Sequence, residues 1–114
     1  MKICRVGAEG AEKPAIIDGA GKLRDISDVI NEIDGSFFEN GGLDRLALLD
    51  PENFPEIASD IRFGQPVAKV GKVVCAGMNY SDHCEEAGFP IPEQPALFTT
   101  ATSSLSGPND HIRR

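Results

Sequence analysis

His83 and Glu86 stand three residues apart in the run Asp82-His83-Cys84-Glu85-Glu86, just after the apolar stretch Val73-Val74-Cys75-Ala76 and the turn-forming Gly77. On a helix, residues three apart share a face. An imidazole held beside a carboxylate can act as a general base whose orientation and basicity the carboxylate sets. It is the one constellation in the chain with complementary catalytic chemistry. The plain alternative is a surface ion pair on a short helix, worth a few tenths of a kcal/mol.

The neighbouring groups read more simply. Adjacent helix residues point about 100° apart, so His83 and Cys84 are poorly placed for a nucleophile pair, and Cys84 reads as a small packing residue. Glu85 reads as a solvated acid and Asp82 as a first-turn residue favoured by the helix dipole. Asn79 is a suitable cap for the helix, and Gly88 with Pro90 supplies its stop, which predicts about two turns. A helix start can receive an anion. With no G-x-G-x-x-G or G-K-[ST] in the chain, an ordinary capped end is the better reading.

The elements that must position this segment fall into two textures. In the first, Ile3 to Val6, Ala15 to Ile17 and Leu23 to Ile26 read as brief strands separated by turn clusters such as Gly19-Ala20-Gly21-Lys22. Ser27 is expected to cap a short helix through Asp28, Val29, Ile30 and Glu32. Leu43, Leu46, Ala47 and Leu49 have the spacing of a second helix that stops before Pro51. Phe37, Phe38 and Phe54 could form a partner-facing patch, though aromatic residues beside a Leu-rich helix are more often core. Pro51, Pro55, Gly64 and Pro66 then mark an irregular connection, with a domain boundary near residue 66.

In the second texture, Lys69 to Ala76 predicts a strand buried in a larger sheet. Pro90, Pro92 and Pro95 deliver the β-rich run Ala96 to Thr102, whose hydroxyls reflect β propensity. Gly107-Pro108-Asn109-Asp110 predicts a turn, and Ile112 the start of another strand. The expected fold class is α+β: a strand-and-helix domain over residues 1–66, then the opening of a β-rich domain over residues 67–114. About 48 residues with one helix and two or three strands cannot easily close a core of their own.

Composition narrows the partners. Eleven basic against eighteen acidic residues in 114 give a net charge of −7, which repels nucleic-acid backbones and anionic membrane surfaces. No apolar run approaches the roughly 20 residues of a membrane-spanning helix, and no charged-then-apolar leader follows Met1, so a cytoplasmic location is expected. Cys4, Cys75 and Cys84 are odd in number and lack paired C-x-x-C spacing, which argues for reduced thiols.

The G-x-N-Y-x-D-H-x-x-E core from Gly77 to Glu86 is followed by Pro90, Pro92, Pro95, Leu97-Phe98, Ala101-Thr102-Ser103-Ser104 and Gly107-Pro108-Asn109-Asp110. This pattern resembles the fumarylacetoacetate hydrolase family. The region before it is similar to the small N-terminal domain of bacterial members that act as hydroxyheptadienedioate isomerases, ureidoglycolate lyases or acylpyruvate hydrolases. The resemblance implies a magnesium or manganese ion that chelates a 2-oxo acid or 1,3-dicarbonyl substrate and polarises its carbonyl. It assigns to His83 and Glu86 the activation of water for C–C hydrolysis, or proton transfer in isomerising members. It also implies a homodimer.

Two departures temper what is carried over. Thr100 stands where the family commonly has a Lys that would meet a substrate carboxylate or an enolate. The Glu-x-Glu pair and later Asp that hold the family's metal would lie beyond Asp110, so this chain alone is expected to bind no metal. Two functions are therefore compatible with the sequence: a fragment of a metal-dependent hydrolase or isomerase, and a non-catalytic binding or assembly module.

Overall fold

The computed structural model describes residues 1–112. They form two compact units: residues 1–70 together with the segment from Leu105 onward, and residues 71–104. Both units mix strands with short helices, so the class is α+β.

In the first unit, β1 (Lys2–Val6), β2 (Lys13–Ile17) and β3 (Leu23–Asp25) make an antiparallel sheet in sequence order. Its register sets Ile3 opposite Ile16 and Cys4 opposite Ala15. Because side chains alternate along a strand, these two pairs lie on opposite faces. Both faces are covered. Ile16 packs with Ile26, Ile30, Ile33, Phe37 and Leu46, while Cys4, Val6, Ala15 and Leu23 form a second cluster flanked by Ile57, Ile61 and Phe63. The turn from β2 to β3 is fixed by Asp18, whose carboxylate accepts the amides of Ala20 (2.9 Å) and Lys22 (2.8 Å) and the Nε of Arg24 (2.9 Å).

The helix expected from Ser27 to Glu32 is absent. Residues 27–29 make only a turn, with the Val29 and Ile30 amides both reaching the Ile26 carbonyl. Local bonds and one distant partner win over helix propagation. Asp25 captures the amide and hydroxyl of Ser27, and the Glu32 carboxylate turns to Arg5 and to its neighbour's amide at Ile33. The first helix is instead α1 (Gly35–Glu39), capped by Asp34 through the Phe37 amide. The second helix, α2 (Gly42–Ala47), matches the Leu-rich spacing and buries Leu46. Phe37 is buried and Phe38 is 42% exposed, so only the first of the aromatic pair is core.

The second unit holds β4 (Val73–Gly77), α3 (Ser81–Ala87) and β5 (Ala96–Thr100). The strand expected to be buried in a larger sheet is one of two: among the described residues β4 pairs only with β5, and every residue of β5 is exposed. A single antiparallel pair has too little sheet to cover its own faces. The Gly107–Asp110 turn forms, with the Asp110 amide bonded to the Gly107 carbonyl at 3.2 Å. His111 and Ile112 carry no strand, and the rest of the strand expected there lies outside the described residues. No helix among the described residues is long and apolar enough to cross a membrane.

Candidate functional site

The passage from β4 into α3 is made at Met78, whose φ of 51° lies in the left-handed region. For a residue with a side chain this costs roughly 1 to 2 kcal/mol. The conformation turns the chain so that the Met78 carbonyl accepts the Sγ of Cys84 at 3.6 Å, and Cys84 is buried at 1% exposure. Cys84 thus anchors the helix from its inner side.

The cap lies one residue later than expected. Tyr80, in extended conformation, precedes the helix and its side chain accepts no cap bond, while Asn79 stands outside it. The first turn is stabilised instead by the Asp82 carboxylate, which accepts the His83 amide at 2.8 Å. At the other end Gly88, with φ of 69°, closes the helix, and the Phe89 amide returns to the Cys84 carbonyl at 2.9 Å.

Within this frame His83 and Glu86 both occur on α3, one turn apart and both exposed. Their side chains make no hydrogen bond or ion pair with each other. An exposed imidazole with a carboxylate on the next turn can exchange protons with solvent or with a bound molecule, and a rotamer change would bring the two into contact. Cys84 points inward while His83 faces out, as the 100° separation requires. Thr100 stands in register with Val73 at the end of β5, its hydroxyl 3.9 Å from the Cys75 thiol. Among the described residues no group of three or more His, Cys, Asp or Glu side chains is placed to hold a metal ion.

A second charged constellation lies in the first unit and was not foreseen from the sequence. Arg62 meets Asp110 through two parallel bonds of 2.8 and 2.7 Å and Glu12 at 2.8 Å, while Arg5 meets Glu32 at 2.8 and 3.0 Å. Arg5 is only 6% exposed. Its sequence signal was a lone arginine inside the otherwise apolar run from Ile3 to Val6.

No family model matches the sequence. The chain is 44% identical over 112 residues to a protein of Burkholderia cenocepacia named "putative hydrolase", and equally to one of Burkholderia multivorans with that name. A Burkholderia ambifaria protein of the same name is 43% identical. Each match takes in 98% of this chain and 40% of the relative, so the chain spans well under half the length of the curated relatives it matches.

Proposed function

We propose that this chain is part of a hydrolase of the fumarylacetoacetate hydrolase type, with His83 as the base and Glu86 as the residue that orients it. The observation that carries the reading is the similarity to hydrolase-named proteins along 98% of the chain, a stretch that includes the His83–Glu86 turn. In the proposed reaction His83 removes a proton from water as its oxygen adds to a carbonyl carbon of a 1,3-dicarbonyl or acylated 2-oxo acid. The C–C bond then breaks toward the 2-oxo acid, and the imidazolium returns the proton to the carbon that departs as an enolate. Glu86 stabilises the imidazolium and sets its tautomer. The magnesium or manganese ion belonging to this proposal would be ligated outside the present segment.

A second reading, a non-catalytic binding or assembly module, draws on the first unit, which closes two apolar clusters within itself. One experiment separates the two. This chain is fused to the portion of the Burkholderia cenocepacia relative that lies outside the match, and acylpyruvate cleavage is followed with magnesium present. Cleavage that falls about 10²- to 10⁴-fold in kcat on His83→Ala supports the enzymatic reading. A folded fusion whose cleavage is indifferent to His83 and Glu86 overturns their assignment. A folded fusion without cleavage favours the module.

A further inference from the structure

The chain leaves the first unit at Val70 and re-enters it at Leu105, and the two flanking segments are held by charged side chains together with a backbone bond. On the departing side, Arg5 donates Nη1 to the Gln65 carbonyl at 3.2 Å, the Ala68 amide reaches the Ile33 carbonyl at 2.8 Å, and Lys69 pairs with Asp34 at 3.1 Å. On the returning side, Arg62 grips Asp110 with two bonds, and the same carboxylate accepts the Gly107 amide at 2.7 Å. Gly107 itself lies so close to the Phe63 carbonyl that a Cβ there would overlap it. Between the two arginines sits the Glu12 carboxylate, its side chain 8% exposed, with Oε1 2.8 Å from Arg62 and Oε2 3.6 Å from Arg5.

The segment enclosed by these anchors has a different character. Its sheet has two strands, and Val74, Tyr80, Phe89, Ile91, Leu97 and Phe98 are all more than half exposed. Few buried apolar groups and a short ladder make a region of low local stability. Charge-assisted, two-pronged arginine–carboxylate bonds in a partly buried setting are among the stronger polar contacts.

We propose that Glu12 is the hub of a clasp that holds the departing segment through Arg5 and the returning segment through Arg62, so that residues 71–104 open locally while both their ends stay fixed. Such a device lets the α3 segment adapt to a ligand or to further polypeptide without unfolding the first sheet. The proposal does not depend on the catalytic reading of His83.

Hydrogen exchange on the 114-residue chain, resolved to single amides, tests it. In the unaltered protein the Ala68, Gly107 and Asp110 amides are expected to exchange about as slowly as those of β1 and β2, and at least about tenfold more slowly than those of β4 and β5. Glu12→Gln keeps the shape and removes the charge, and it should speed exchange at both Ala68 and Gly107 by about tenfold or more. Asp110→Asn should do so at Gly107 alone. The clasp is overturned if β4 and β5 are as protected as Gly107, if Glu12→Gln loosens one end only, or if it speeds β1 and β2 equally. Should Glu12→Gln fail to fold, the Asp110→Asn result decides, since an unchanged Gly107 or an equal change at Ala68 overturns the proposal.

Discussion

The ring of Phe37 and the Phe37 carbonyl occupy the space into which a side chain at Gly42 would project. This places the end of α1 directly against the start of α2 and leaves Phe37 buried with Leu46 in the larger apolar cluster. Alanine inside a helix is ordinarily favoured over glycine by about 1 kcal/mol. At Gly42 the order should invert, because the new methyl group must displace both a packed ring and backbone. Gly42→Ala is expected to destabilise the protein by about 1 to 3 kcal/mol, read from its urea midpoint. Gly35→Ala, where nothing lies within 4 Å of the added carbon, should be neutral or stabilising. Equal midpoints for the two variants would show that Phe37 does not pack tightly against Gly42.

Acid should weaken the protein through identifiable carboxylates. The Arg5 hydrogen bond holds the Glu32 carboxyl below its usual value against the opposing effect of burial, and the Lys22 amide does the same for Asp18 with help from Arg24. A hydrogen bond from Lys69 lowers Asp34 likewise. A group depressed in the folded state contributes stability that is present above its unfolded pKa and is lost as pH falls through the folded value. The urea midpoint should therefore hold steady from neutrality to roughly pH 5 and decline below about pH 4, where unfolded Asp and Glu still bind protons more readily. Glu32→Gln should remove part of that decline. A midpoint that stays flat to about pH 3 would contradict this assignment.

The three thiols should separate by rate. Cys75 is half-buried, whereas Cys4 and Cys84 are buried, and burial pushes the Cys4 thiol upward in pKa and away from its reactive thiolate. With an aromatic disulfide reagent under native conditions, Cys75 is expected to react first. Cys84 should follow at a rate limited by opening of residues 71–104, and Cys4 last, each step at least roughly tenfold slower than the one before. Simultaneous reaction of Cys84 and Cys4 would mean that the two units open together.

Some of this protein was decided by local pattern. Short β-rich runs bounded by Gly and Asp turns are enough to define β1, β2 and β3, since alternation and turn chemistry act within a few residues. The spacing around Leu46 marked α2, and Gly88 marked the end of α3, because left-handed closure of a helix is a property of glycine itself. His83 and Glu86 were placed on one turn by their spacing alone.

Tertiary structure decided the rest, and in each case a distant or competing partner is the reason. Ser27 could not cap a helix once Asp25 had taken its amide and hydroxyl and Arg5, 27 residues away, had taken Glu32. The return of the chain at Leu105 to the first unit depends on Arg62 and Asp110, which are 48 residues apart. Glu12, Arg5, Arg62 and Asp110 each look like ordinary surface charges in the linear order. Their clustering emerges only when the fold brings β1, β2 and the segments holding Arg62 and Asp110 together, since the attraction between ionised groups depends on distance in space and on exclusion of water, neither of which sequence spacing encodes.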